Sequence, residues 1–377
     1  MNQARTNDGF VFSRSYDFTF ILGGALLTLA LPLLVTLSPS ALPVIFWAWI
    51  VFFEGSHFWA TLARTYLDRK FASEHRGVLA GSLVFFLLPA LAVAHWKATG
   101  TNLAIDVYGF AIFVWSLVHN ARQHYGFLSI YSSKGGESRE TKTARTTLLY
   151  VAICVPQLYF LIFHKGPLAL SFFPKPAELG VVATALRAAC WTVSLGAGVT
   201  LVTQLLRARA PGAERPMTLV YSTVCWAFYC TMFYVVAPRE PFFARATNGA
   251  QLLMLLAVMN SLFHNIQYHA IVWMYAKRRY SGDAPPPDAR SVFGWASRIN
   301  GSFPSYAAMA IAMGCVFAWV VNGLGDWPSL TGEYAKPGMS ALSYVLFFGI
   351  VGHHFFLDQH IWRPSRQPDL RSYLKLD

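Results

Sequence analysis

The chain has 377 residues, of which 55% are hydrophobic, 16% aromatic and only 13% charged. A soluble domain carries about a quarter charged residues, so this composition excludes an ordinary soluble globular protein. The formal net charge of +12 would indicate nucleic-acid binding in a soluble protein, but basic residues also concentrate in the short loops of membrane proteins. We therefore expect a membrane lipid bilayer around the chain and no nucleic-acid partner.

Apolar segments along the chain are long enough to cross the hydrocarbon core as helices. The polar N-terminal stretch Met1 to Asp17 lacks a signal-peptide pattern, so nothing is expected to be removed before the first apolar run. In chain order the predicted spans cover residues 18–37, 41–63, 77–96, 103–128, 146–164, 181–206, 217–237, 248–276, 304–324 and 339–362. The predicted fold class is an all-α, polytopic transmembrane helix bundle of about ten spans, with residues 1–377 forming a single integral membrane domain.

The basic residues predict the orientation of the bundle. Most of the 30 Lys and Arg residues fall in the N-terminal segment and in alternate connections, which places both termini in the cytoplasm. Residues 277–303, which include three consecutive prolines, predict a cytoplasmic connector, and residues 132–145 predict a second polar loop. We expect a multi-pass protein of a bacterial inner membrane.

Eight of the eleven histidines fall in the cytoplasmic halves of four predicted spans that run in the same direction. Ionisable groups inside a bilayer are costly and usually face the bundle interior, which makes them functional candidates. A lone histidine there would be a hydrogen-bonded packing residue, but one transition metal can satisfy several neutral imidazoles at once. The predicted metal ligands are His57, His119, His124, His264, His269, His353, His354 and His360.

Two of these spans share the pattern His-Asn-x-x-x-His, at His119 to His124 and at His264 to His269. Residues five apart on a regular helix point about 140° away from each other. Either the two histidines of a pair serve different metals, or the helix opens into a π-type turn, which is frequent at functional sites. The asparagines, Asn120 and Asn265, are predicted to orient ligands, or alternatively to cap helix ends.

Carboxylates accompany the histidines in two spans. Asp358 is four residues after His354, so it shares a helix face with this imidazole and is predicted to ligate a metal or to fix the tautomer of a ligand. Glu54 lies deeper in its span than a solvated carboxylate should, and we interpret it as a ligand or a proton carrier. Asp68 is a candidate supporting residue or simply a partner of Arg64 or Lys70.

The paired histidines and the adjacent His353 and His354 resemble the histidine boxes of membrane fatty acid desaturases and hydroxylases. The resemblance implies two irons held at the cytoplasmic face by about eight histidines. It covers only these motif residues. Those families have fewer spans, and their paired boxes carry a further histidine three or four residues earlier, where this chain has Gly349, Ile350 and Val351.

These patterns predict a membrane-embedded, non-haem metal oxidoreductase, with two irons, acting on an apolar small molecule or lipid by hydroxylation, desaturation or oxidative cleavage. Walker A, GxGxxG, GxSxG and HExxH motifs are absent, so a redox reaction needs an external electron donor or dioxygenase chemistry. A zinc-dependent hydrolase of lipids is a second reading of the same residues, since catalytic zinc needs only three protein ligands. A haem-binding electron carrier or a metal transporter would be a third.

Overall fold

The computed structural model describes residues 9–164, 176–208, 216–238, 249–280, 295–323, 341–363 and 367–375. Throughout these ranges the ordered elements are helices, and the described residues contain no β-strand. The predicted all-α fold class is therefore confirmed.

The helices are numbered in chain order. They are α1 (Arg14–Leu37), α2 (Ala41–Arg64), α3 (Arg69–Glu74), α4 (Arg76–Thr99, interrupted at Leu83), α5 (Leu103–Lys134), α6 (Arg139–Phe163), α7 (Gly180–Arg207), α8 (Met217–Val236), α9 (Gly249–Tyr280), α10 (Trp295–Asn300), α11 (Phe303–Gly323), α12 (Ala341–Ile361) and α13 (Pro368–Leu374). A 3₁₀ turn, Pro176–Leu179, precedes α7. In the described part of the chain, three helices contain π-helical turns: Asp17–Leu22 in α1, Ile50–Glu54 in α2 and Thr231–Val236 in α8.

Nine helices among the described residues are long and apolar enough to cross a membrane. They correspond to nine of the ten predicted spans, and the protein is an integral membrane protein by this measure. The remaining predicted span, residues 248–276, corresponds to the 32-residue helix α9, which begins at Gly249 and is not among the nine. Several polar residues interrupt the apolar sequence of this helix: Asn260, His264, Asn265, Gln267 and His269. The cytoplasmic placement of both termini stays a prediction.

Both predicted polar connections are shorter than expected. Helix α5 continues to Lys134 and α6 begins at Arg139, so only four residues of the predicted loop 132–145 are outside a helix. The start of the predicted connector 277–303 belongs to α9 and its end contains α10, while residues 281–294 lie outside the described residues. In both predicted connections, the helices therefore continue from the apolar segments into polar sequence.

The chain divides into two compact units, each built from separate stretches of sequence. The first unit comprises Met1–Pro39 and Leu117–Phe263, and the second comprises Ser40–Ser116 and His264–Lys375. Helices α5 and α9 each change unit part-way along their length. In the first unit, α8 packs against α1, α6 and α7. Gly198 of α7 allows one of these approaches, because a Cβ there would collide with the ring of Trp226.

In the second unit, α12 packs along α4 and also contacts α2 and α11. Helices α2 and α11 approach each other at two glycines. A Cβ added to Gly55 would lie 2.8 Å from the Cα of Gly314, and a Cβ at Gly314 would collide with the carbonyl oxygen of Val51. Val51 belongs to the π-helical turn of α2. The close backbone contact therefore fixes α2 immediately before the residues that form the site described next.

Candidate metal centre

Three helices of the second unit bring one imidazole each to a common point. The residues are His57 of α2, His264 of α9 and His354 of α12, which are 2%, 3% and 2% exposed. Nε2 of His57 lies 2.7 Å from Nε2 of His354 and 3.3 Å from Nε2 of His264. The candidate ligand atoms of these three residues all lie within 4.8 Å of one another. We call this set the histidine layer.

The histidine layer fits a transition metal. With metal–nitrogen bonds of about 2.05 Å, two ligand nitrogens on one ion are about 2.9 Å apart at a right angle and about 3.3 Å apart at the tetrahedral angle. The observed separations of 2.7 and 3.3 Å lie close to these values. Imidazole nitrogens this close also need hydrogens or a shared cation between their lone pairs. This buried histidine cluster can therefore bind a metal ion.

A second group of polar side chains lies one helical turn along the same three helices. Thr61, Tyr268 and Asp358 each follow a residue of the histidine layer by four positions. Oδ1 of Asp358 accepts hydrogen bonds from the Thr61 hydroxyl at 2.8 Å and from the Tyr268 hydroxyl at 2.9 Å. The two hydroxyl oxygens are themselves 3.0 Å apart. We call this buried set the polar layer.

The two layers are joined through His354. Its Nδ1 lies 2.7 Å from the Thr61 hydroxyl oxygen, while its Nε2 belongs to the histidine layer. The Asp358 carboxylate also approaches this ring, with Oδ2 3.6 Å from Nε2. The four-residue spacing predicted Asp358 on the face of His354, and the structure brings the two together with Thr61 between them.

Glu54 and Asn265 form a separate contact in the second unit. The Asn265 amide donates a 2.8 Å hydrogen bond to Oε2 of Glu54. Each residue lies close to a member of the histidine layer on its own helix, Glu54 three positions before His57 and Asn265 directly after His264. Asn265 lies well inside α9, so its interpretation as a helix cap is wrong.

The remaining predicted ligands of the second unit bond to protein groups. Both ring nitrogens of His269 lie 2.9 Å from hydroxyls, one of Ser56 and the other of Tyr306. His353 stacks on Tyr66 and lies 3.0 Å from its hydroxyl, and Nδ1 of His360 donates to the carbonyl oxygen of Phe356 in its own helix. These contacts engage ring nitrogens of His269, His353 and His360 with protein groups, although the ring of His269 still lies 6.4 Å from that of His57.

Two predicted ligands, His119 and His124, belong to the first unit. Both nitrogens of the buried His124 are hydrogen-bonded to tyrosine hydroxyls, at 2.7 Å to Tyr221 and 3.0 Å to Tyr229. His119 is also buried. Asn120, inside α5, donates to the carbonyl oxygen of Asn260 at 2.8 Å, so it is not a helix cap either. Metal ligation by His119 stays a prediction.

In each His-Asn-x-x-x-His pair, the two histidines project from different sides of a regular α-helix. Helices α5 and α9 are α-helical through both motifs, so the two histidines of a pair point in different directions. Of the two explanations offered by the sequence, the π-type turn at these pairs is wrong. A π-helical turn occurs instead at Ile50–Glu54, directly before Gly55 and His57.

Asp68 is a structural anchor. Its carboxylate caps α3 by accepting from the backbone N–H groups of Lys70 and Phe71 at 3.1 and 3.2 Å. It also pairs with Arg64 at 3.2 Å and with Arg279 at 2.9 Å, both buried. The pairing with Arg64 was one of the two expectations from the sequence.

Thr61 and Tyr268 were not predicted from the sequence. A signal was present, because a polar side chain follows His57, His264 and His354 at the same four-residue spacing. That spacing places the partner on the same helix face one turn away. The five-residue spacing of the histidine pairs is easier to recognise in the sequence than this four-residue spacing of a histidine and a polar side chain.

Gly349 occupies one of the positions at which the desaturase boxes carry a further histidine. A Cβ at Gly349 would collide with the ring of Phe86 in α4, so a histidine there would require this ring to move. Comparison with known proteins found no matching family model, no matching curated protein and no matching solved structure.

Proposed function

We propose that this protein is a membrane-embedded non-haem iron oxidoreductase that acts on a lipid-soluble substrate. The observation that carries the proposal is the convergence of the Nε2 atoms of His57, His264 and His354 inside a bundle of apolar helices. Neutral imidazole suits iron, copper and zinc among the biological metals. A site with three protein ligands leaves coordination positions for reactants.

The proposal assigns one metal to the histidine layer. The sequence suggested two irons because eight histidines exceed the needs of one ion. In the second unit, His269, His353 and His360 are instead bonded to hydroxyl or carbonyl groups, which supports a mononuclear centre. Iron held by imidazoles supplies redox chemistry with dioxygen, and the electrons come from an external donor or from the substrate itself.

The carboxylates support this reaction without being required as ligands. Glu54 lies one turn before His57 and is oriented by Asn265, so it is placed to hold or accept a proton at its carboxylate. Asp358 is held by Thr61 and Tyr268 and places negative charge beside His354. An anion at this position offsets part of the charge of a divalent ion in a low-dielectric region.

The substrate class follows from where the site lies. All three members of the histidine layer are buried, and two of them lie in helices that are long and apolar enough to cross a membrane, α2 and α12. Many large apolar side chains on the same unit are exposed, among them Leu87 and Leu91. Such surfaces suit lipid hydrocarbon. A substrate that reaches the histidine layer from these surroundings has to be soluble in the bilayer, as a lipid, terpenoid or carotenoid is.

The test is metal analysis combined with turnover on the purified full-length protein in detergent. We expect close to one iron per chain, a non-haem Mössbauer spectrum without a Soret band, and dioxygen uptake that depends on an added lipid extract. The variant His57→Ala should lose both iron and uptake, while His360→Ala, whose ring bonds to its own helix backbone, should keep both. Iron-loaded protein that takes up no dioxygen with any lipid extract, even when an external electron donor such as reduced ferredoxin is added, would overturn the oxidoreductase.

A zinc-dependent lipid hydrolase is the second candidate, and one observation favours it. Three imidazoles with a nearby carboxylate, Glu54, match the ligand number and the general base that catalytic zinc uses. The same metal analysis separates the two candidates. One zinc per chain, with release of fatty acid from ester or amide lipids that Glu54→Gln abolishes, would replace the oxidoreductase by the hydrolase.

A further inference from the structure

The hydroxyl of Thr61 has a defined hydrogen-bonding role that follows from two of its partners, Asp358 and His354. A threonine hydroxyl has one hydrogen to donate. The Asp358 carboxylate oxygen, 2.8 Å away, can only accept, so the Thr61 hydrogen points to it. Toward Nδ1 of His354, at 2.7 Å, Thr61 must then act as the acceptor. The hydrogen in that second bond belongs to the imidazole.

This arrangement determines which nitrogen of His354 has an available electron pair. A neutral imidazole carries hydrogen on one nitrogen and a lone pair on the other. With Nδ1 donating to Thr61, the lone pair is on Nε2, which is the nitrogen that lies 2.7 Å from Nε2 of His57. Metal-binding histidines usually have their second nitrogen oriented in this way by a carboxylate or carbonyl. Here the carboxylate acts through a hydroxyl.

We propose that Thr61 is a positioning residue, which connects the Asp358 carboxylate to His354 and so holds this imidazole in the tautomer that presents Nε2 to a metal in the histidine layer. The inference rests on the proposed metal centre and adds Thr61 and Asp358 as the residues that orient one of its ligands. The four-residue spacing on α2 and α12 makes the arrangement possible, because it places Thr61 and Asp358 at one level, a turn away from His57 and His354. Burial of all four side chains keeps water from replacing any of these bonds.

A role for Thr61 in packing alone can be separated from this positioning role by a matched pair of substitutions. Thr61→Val keeps the shape of the side chain and removes the hydroxyl, whereas Thr61→Ser keeps the hydroxyl and removes a methyl group. Thr65→Val is the control, because Thr65, directly after the last residue of α2, is equally buried and its hydroxyl donates to the backbone carbonyl of Thr61.

The experiment is titration of the metal-free, full-length protein with Co²⁺ against a competing chelator, together with the visible absorption spectrum of the bound ion. We expect Thr61→Val to weaken Co²⁺ binding by about 10- to 100-fold and to change the absorption bands, as loss of such a supporting residue typically does. Thr61→Ser should stay within about threefold of the wild type, and Thr65→Val should match it. Wild-type affinity and spectrum in Thr61→Val would overturn the inference.

A further variant covers the case in which Thr61→Val does not fold. Asp358→Asn keeps the shape but replaces the anionic acceptor by a neutral amide, so Co²⁺ binding should again weaken, and unchanged binding would overturn the inference. The titration also separates this inference from the proposed function. Tight Co²⁺ binding that depends on Thr61, in a protein without oxidase or hydrolase activity, would reject the enzyme and keep the positioning role. A wild type that binds no Co²⁺ would reject the metal centre and the inference together.

Discussion

The Nε2 atoms of His57 and His354 lie 2.7 Å apart, although 297 residues separate them in the chain. Nδ1 of His354 lies within hydrogen-bond distance of Thr61, so Nε2 is the nitrogen whose electron pair is available. Without a metal, this contact needs a hydrogen from His57. With a metal, both nitrogens donate to the ion. The pair is therefore where loading and removal of a metal should have the largest local effect.

Replacement of any member of the histidine layer should remove the metal. We expect His57→Ala, His264→Ala and His354→Ala each to weaken metal binding by more than about 100-fold, since loss of a ligand exceeds the loss of its supporting residue. Equilibrium dialysis with elemental analysis measures this. His360→Ala is the matched control. Full metal content in two of the three ligand variants would contradict the assignment.

The two histidines of α5 should differ in the effect of their removal. His124→Ala leaves two buried tyrosine hydroxyls, those of Tyr221 and Tyr229, without their imidazole partner, which costs about 1–3 kcal/mol for each unsatisfied group. We expect a lower melting temperature in detergent and unchanged metal content. For His119→Ala the sequence predicts weaker metal binding, because His119 is one of the predicted ligands. Equal metal affinity in His119→Ala and the wild type would remove His119 from the ligand set.

Enlargement of Gly314 should disturb the metal centre from a distance. A Cβ there collides with the carbonyl oxygen of Val51, in the π-helical turn that precedes His57. We expect Gly314→Ala to destabilise the protein by about 1–3 kcal/mol, as overpacking does, and to lower metal affinity. Gly81→Ala is the control, because a Cβ at Gly81 meets nothing within 4 Å. Thermal unfolding and metal titration of both variants give the comparison.

Removal of the Asp68 charge should affect folding and leave the metal in place. Asp68→Asn leaves Arg64 and Arg279 without their shared carboxylate, and breaking a buried ion pair costs about 3–5 kcal/mol. We expect a large fall in the yield of folded protein, with normal metal content per folded chain. Glu74→Gln, an exposed carboxylate in α3, should change neither quantity. Metal loss in folded Asp68→Asn would give Asp68 the supporting role that the sequence first suggested.

The fold could be predicted well from the sequence because it depends on local composition. Apolar length alone located the spanning helices, with ends that differ from the structure by a few residues in most cases. The prediction was weaker at α9, where the polar residues of the predicted site also lower the apolar character of the helix. The polar ends of α5, α6 and α9 were predicted as loops because their composition is polar. Hydropathy indicates which residues contact lipid, and it does not indicate where a helix ends.

The site could be predicted only in part because ligand convergence depends on tertiary packing. The sequence singled out His57, His264 and His354 along with five other histidines. A polar side chain four residues later is a local signal for these three, but His119 shares it, with Gln123. The distinction depends on partners from other helices, such as Tyr306 for His269 and Tyr221 for His124. Thr61 illustrates the same limit, since a threonine in an apolar helix usually bonds to its own backbone.

The spacing of the three ligand helices along the chain sets the order in which the centre can be assembled. His57 is made early, His264 much later, and His354 lies in α12, the last long helix that the structure describes. A nascent chain exposes His57 for most of its synthesis without the imidazoles that complete the set. In the proposed centre, complete coordination of a metal would therefore follow insertion of α12, so that metal content would report on finished folding.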